Sequence, residues 1–86
     1  MKASHILVST LEKANSLLAE ATPQNFGHLA MQHSSCPSKM SGGSLGEFGP
    51  GQMVKPFEDA TIATPVGSIS QPVQTQFGYH LIHRTG

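Results

Sequence analysis

Two histidines sit among apolar neighbours at opposite ends of the chain, His5 in SHILV and His80 in GYHLIH. Both segments read as strands, and strands from the two ends of a small domain often pair at the centre of its sheet. Placed on adjacent strands, the imidazoles would face each other, and each neutral ring can donate one hydrogen bond and accept another. Such a pair can act on a bound group. It can equally be a satisfied core pair that only orders the sheet, because histidine is intermediate in its tendency to be buried. Residue types alone leave both readings open.

Cys36 follows HSS and precedes Pro37. A lone cysteine becomes a nucleophile when its pKa is depressed and a base stands within hydrogen-bonding reach. Neither is visible in the sequence, and a free thiol more often packs as a small hydrophobe. Five histidines and one cysteine also raise metal binding. No CxxC or HxxxH spacing occurs, and His28 and His33 are five positions apart, so neither a metal nor another cofactor is expected. The stretch GQMVKPFEDA sets Met53 and Phe57 four residues apart beside a glycine-rich run. With Leu45 they are either ordinary core or the lining of an adaptable apolar cavity, a use to which flexible methionine is suited.

The elements that must position these groups follow from periodicity. Residues 3–9 alternate and contain Ile6 and Val8, which favour a strand. Ser9 and Glu12 have the spacing of a capping box, and Leu11, Ala14, Leu17, Leu18 and Ala21 recur at helical intervals. Thr22 and Pro23 read as the cap and first position of a second helix ending near Ser35, with Phe26, Leu29, Ala30 and His33 on one face. Residues 36–51 lack periodicity and are rich in glycine, so a loop is expected, with a short strand near Leu45 to Phe48. Pro56 suits the first turn of a third helix, where Glu58 and Asp59 complement the positive end of its dipole. Two strands, SISQPVQT and GYHLIHRT, close the chain around Gln76 to Gly78, with Pro72 at an edge or bulge. The order β-α-α-β-α-β-β, without internal repeats or linkers, predicts a single α+β domain over residues 1–86.

Composition narrows the partners. The chain of 86 residues carries 5 Lys plus Arg against 5 Asp plus Glu. Nucleic acid and anionic membranes need clustered cations, so neither is an expected partner. No apolar run approaches the roughly 20 residues that span a bilayer, and the start MKASHILVST lacks a signal peptide's apolar segment. The single cysteine excludes an internal disulfide. A cytoplasmic monomer is the expectation.

SHILV, GGSLGEFGPGQMVKPFEDA and VGSISQPVQTQFGYHLIHRTG together resemble, in register over nearly all of the chain, the parvulin family of peptidyl-prolyl cis/trans isomerases, in particular its small bacterial and archaeal members. The resemblance implies the parvulin, FKBP-like fold: a four-stranded antiparallel sheet surrounded by helices, with peptide bound in a groove on the concave side. Carried over by position, His5 and His80 match the family's strand histidines, and Cys36 matches a position held by cysteine or aspartate. Leu45, Met53 and Phe57 match the proline pocket, Phe77 its rim, and Thr75 a hydrogen-bond partner of one histidine.

The implied activity is rotation about Xaa-Pro bonds in peptides and in unfolded or partly folded proteins. A noncovalent mechanism is expected, because the rotation breaks no bond. Relatives selective for phosphoserine or phosphothreonine carry basic residues after the first strand. Here VSTLEK offers only Lys13, so dependence on phosphate is not expected. The rival reading is a noncatalytic peptide-binding or chaperone module using the same groove. Because the resemblance places Met53 and Phe57 at pocket positions rather than in a periodic helical core, truncating either is expected to cut activity strongly and leave the fold largely intact.

Overall fold

The computed structural model describes residues 1–35 and 42–86. Its elements run β1 (Lys2–Val8), α1 (Leu11–Glu20), α2 (Phe26–His33), β2 (Ser44–Glu47), α3 (Lys55–Ala63), β3 (Val73–Thr75) and β4 (Gly78–Arg84), the order expected from the sequence. The strands form one antiparallel sheet in the order β2-β1-β4-β3, so the strands from the two ends of the chain lie at its centre.

Register decides which side chains share a face, because paired residues in a pleated sheet point the same way. The pairs Ala3↔Arg84, His5↔Ile82 and Leu7↔His80 alternate with Ser4↔His83, Ile6↔Leu81 and Val8↔Tyr79. The second set faces α1 and α2. Ile6, Val8 and Leu81 form one core there with Ala14 and Leu17 of α1 and Phe26, Leu29 and Ala30 of α2. Full burial of each large apolar side chain contributes about 1.5–3 kcal/mol, so this face supplies much of the fold's stability.

The first set faces the other way, towards α3 and the loop before it. Ala3 and Ile82 pack there with Phe48 and Phe57, and Leu45, Met53, Val54 and Val73 lie against them. Arg84 reaches from β4 to the end of α3, donating from its guanidinium to the carbonyls of Thr61, Ile62 and Thr64 at 3.2–3.4 Å. It supplies the cation that the last turn of α3 lacks and that the negative end of a helix favours.

Three boundaries differ from expectation. The capping box at Ser9 and Glu12 does not form: Thr10 caps α1, its hydroxyl accepting from the Lys13 amide at 3.2 Å. Val8 still pairs with Tyr79, so Ser9 is needed to leave the sheet, and the helix starts one residue later with Lys13 at the position the acid would need. Thr22 and Pro23 precede α2 by a turn, in which Thr22 and Asn25 bond each other reciprocally at 2.7 and 3.2 Å. The strand expected over 68–75 is reduced to β3, because Pro72 has no amide to give. Residues on its far side pair irregularly, Ser70 donating its amide to the Ile82 carbonyl at 2.7 Å.

Candidate functional site

His5 on β1 and His80 on β4 project from the same face as diagonal neighbours, one pair apart in register. Their Nδ1 atoms lie 3.0 Å apart, and the rings stack at a centroid distance of 5.2 Å and an interplanar angle of 16°. His80 Nε2 is 2.8 Å from the Thr75 hydroxyl, which also accepts from the Phe77 amide at 3.2 Å. One neutral tautomer of His80 donates to Thr75 and accepts from His5; the other reverses both bonds. The chain of contacts therefore has two self-consistent directions.

Phe57, on the first turn of α3, stands edge-on to both imidazoles at 5.5 and 5.2 Å between ring centroids. The three rings floor a groove of about 490 Å³. Leu45 from β2 and Met53 from the loop before α3 wall it, and Phe77, 61% exposed, stands at its mouth. The histidine end is held by backbone: the Gly43 carbonyl accepts the His5 amide at 2.9 Å. Gly43 has φ +81, and a Cβ there would overlap the His5 carbonyl, so both its conformation and the close approach require glycine.

Burial sets the charge state of this floor. It lowers the pKa of His5, and it lowers that of His80 to about 4, with a charge on His5 as the second cause. Desolvation disfavours the cation. Two imidazolium rings would also oppose N–H to N–H across 3.0 Å. At neutral pH the pair is uncharged.

Of the residues singled out in the sequence, the structure brings His5, His80, Leu45, Met53, Phe57 and Phe77 around one groove, with Thr75 behind His80. Cys36 lies outside the described residues. Phe57 fills both of the roles its residue type left open, since it is 3% exposed and also packs in the core with Phe48 and Ile82. The expectation that its truncation spares the fold is therefore corrected. It sits on the first turn of α3, where its ring packs between the helix and the sheet.

Leu7, Ser35, Gln52 and Val54 also line the groove and were not anticipated. Leu7 was legible, since strand alternation puts it on the face of His5. Ser35 arrives because Leu7 bonds the end of α2 on both sides, its amide donating to the Ser34 hydroxyl at 3.1 Å and its carbonyl accepting the Ser35 amide at 2.8 Å. That contact is tertiary and leaves no local signal. Among the described residues no group of three His, Cys, Asp or Glu gathers as a metal site, and no helix is long and apolar enough to cross a membrane.

Comparison with known proteins gives a consistent picture. The family profile described as "Rotamase: PPIC-type PPIASE domain" matches residues 5–86. Peptidyl-prolyl cis-trans isomerase Pin1 of Digitalis lanata is 56% identical over 64 residues, covering 74% of this chain and 54% of that protein. Foldase protein PrsA 4 of Bacillus cereus is 46% identical over 87 residues, covering 99% of this chain and 31% of that one. This chain thus spans from a third to half the length of these curated relatives. The solved structure of Pin from the psychrophilic archaeon Cenarcheaum symbiosum superposes with a TM-score of 0.85 at 46% identity, covering 100% of this chain and 91% of that one.

Proposed function

The chain belongs to the PPIC-type peptidyl-prolyl isomerase family, and on that premise we propose that it accelerates cis/trans rotation about Xaa-Pro bonds in peptides and partly folded proteins. The observation that carries the reading is the apolar groove floored by two neutral, mutually bonded histidines.

Rotation of a peptide bond crosses a barrier of about 18–20 kcal/mol because twisting abolishes amide resonance. At the twisted state the carbonyl loses its share of the nitrogen lone pair, and the amide becomes less polar than when planar. A site that binds the twisted form better than the planar one lowers the barrier, tenfold in rate for each roughly 1.4 kcal/mol. Leu45, Met53 and Phe57 hold the prolyl ring still, so that the preceding carbonyl is the part that turns. His5 and His80 adjust hydrogen bonding near that carbonyl, and Thr75 fixes the orientation of the His80 ring. Cys36 joins them in this reading on its sequence position alone, contributing polarity and packing. No acyl intermediate is needed, because no bond breaks.

Substrates need not be phosphorylated in this reading. Among the described residues the groove is lined by no Lys or Arg, whereas a phosphate dianion calls for several convergent cationic donors. Lys13 lies on α1 beside a separate hollow of about 210 Å³. A single copy of the chain supplies all these groups, so a monomer suffices. A protease-coupled assay on matched peptides with Leu, Glu or phosphoserine before proline tests the proposal. Turnover of the Leu peptide without a large advantage for phosphoserine is the expected result, and a strong phosphoserine preference would overturn the substrate assignment.

A further inference from the structure

Glu58 is a carboxylate 8% exposed, on the first turn of α3, and it does not touch the groove. Burial of a charge is unfavourable unless it is bonded. Its Oε1 accepts the amide of Gly51 at 2.6 Å, seven residues back. Val54, the cap of α3, offers no side-chain bond to the helix start, so Glu58 stands at the positive end of the helix and turns its carboxylate towards the loop. The loop is fastened a second time by Gln52, whose Oε1 accepts the Gly49 amide at 2.7 Å. Gly51 itself holds φ +85, a conformation in which the chain reverses and which favours glycine.

The Gly51–Glu58 bond closes a ring of chain that meets the groove through Gln52, Met53 and Val54 from the loop and Phe57 from α3. Phe57 is fixed by the core. Met53 is carried by the loop before α3, half-buried against the same cluster, and the clamp ties that loop to the helix. We propose that Glu58 is a positioning residue for the proline pocket, setting Met53 against Phe57 through the Gly51 amide. The inference rests on the isomerase reading. Because the prolyl ring is gripped equally in the planar and the twisted amide, loosening the clamp weakens both states alike. Uniform loss of binding raises KM and leaves kcat in place.

The test compares wild type, Glu58→Ala and Glu58→Gln on a Leu-Pro peptide, with hydrogen exchange of the Gly51 amide followed in each. Glu58→Ala should raise KM about tenfold, the scale of one charge-assisted hydrogen bond, with kcat within about twofold. Glu58→Gln keeps an acceptor oxygen and should restore KM to within about threefold of wild type. The Gly51 amide should be protected in wild type and Glu58→Gln and exchange freely in Glu58→Ala. A merely structural carboxylate would lower the melting temperature and leave KM unchanged at a temperature where the variant is folded, which overturns the proposal. If Glu58→Ala does not fold, an unprotected Gly51 amide in the wild-type protein overturns it equally. Wild type without turnover would instead reject the isomerase reading, while the amide measurement still judges the clamp.

Discussion

The two faces of the sheet are built from alternate residues of the same two strands, yet they solve different problems. One face is closed by α1 and α2 over Ile6, Val8 and Leu81, which are buried in one apolar cluster with residues of those helices. The other is covered by α3 over part of its width, and the uncovered part exposes a histidine pair, a methionine and the edge of Phe57 to a groove. Strand periodicity of two lets one stretch of seven residues serve both, since neighbours on β1 never share a surface. The difference between faces teaches how a domain this small fits a site. The closed face supplies stability, and the open face reuses part of its own packing, Phe57 above all, as the floor of the groove.

The comparison breaks most sharply with Phe26→Ala and Phe57→Ala. Each truncates a nearly fully buried ring, and each should destabilise by about 3–5 kcal/mol, enough to unfold a marginal domain. Phe26 serves the closed face alone, so the residual folded protein should keep its specific turnover. With Phe57→Ala, turnover per folded molecule should fall as well. Urea unfolding measured alongside activity separates them, and equal specific turnover in the two variants would deny Phe57 its second role.

Met53→Ala is the next largest effect and inverts the pattern. A half-buried loop residue should cost about 1 kcal/mol or less in stability, while kcat/KM drops tenfold or more, through KM, because the prolyl ring loses a wall. Retained activity on several Xaa-Pro peptides would remove Met53 from the pocket.

Acid should act through the open face. The folded-state pKa of His80 is depressed to about 4, and that of His5 is also lowered, relative to an unfolded value of 6.5. Between those values the unfolded chain binds more protons, so this contribution is full above pH 6.5 and is lost as pH falls towards 4. The urea midpoint should therefore drop from pH 7 to pH 5, before most carboxylates titrate. His80→Asn should flatten that slope, and an unchanged slope would contradict burial of a neutral pair. The smallest effect is expected at Phe77, exposed at the rim: Phe77→Ala should alter KM for an apolar residue before proline by about two- to fivefold, on the scale of one rim contact. Stability should not move.

Much of the open face was legible from residues. Period-two alternation put His5 and Leu7 on one surface, and Pro56 marked the start of α3. What local pattern could not show was set by tertiary contact. The register that makes the histidines diagonal depends on how far β4 slides against β1. Thr10 outcompetes Ser9 as a cap because the sheet retains Val8. Glu58 was read as a partner of the helix dipole, and its hold on Gly51 depends on a loop whose path no periodicity announces.

Exchange NMR on a Leu-Pro peptide with a catalytic quantity of the protein addresses the central claim that the open face is an isomerase site. The account predicts cis and trans proline resonances exchanging far faster than in free peptide, with His5 and His80 shifting on peptide addition and no covalent adduct by mass spectrometry. Peptide-induced shifts at both histidines with the exchange rate of free peptide would contradict it, leaving a groove that binds proline without turning it.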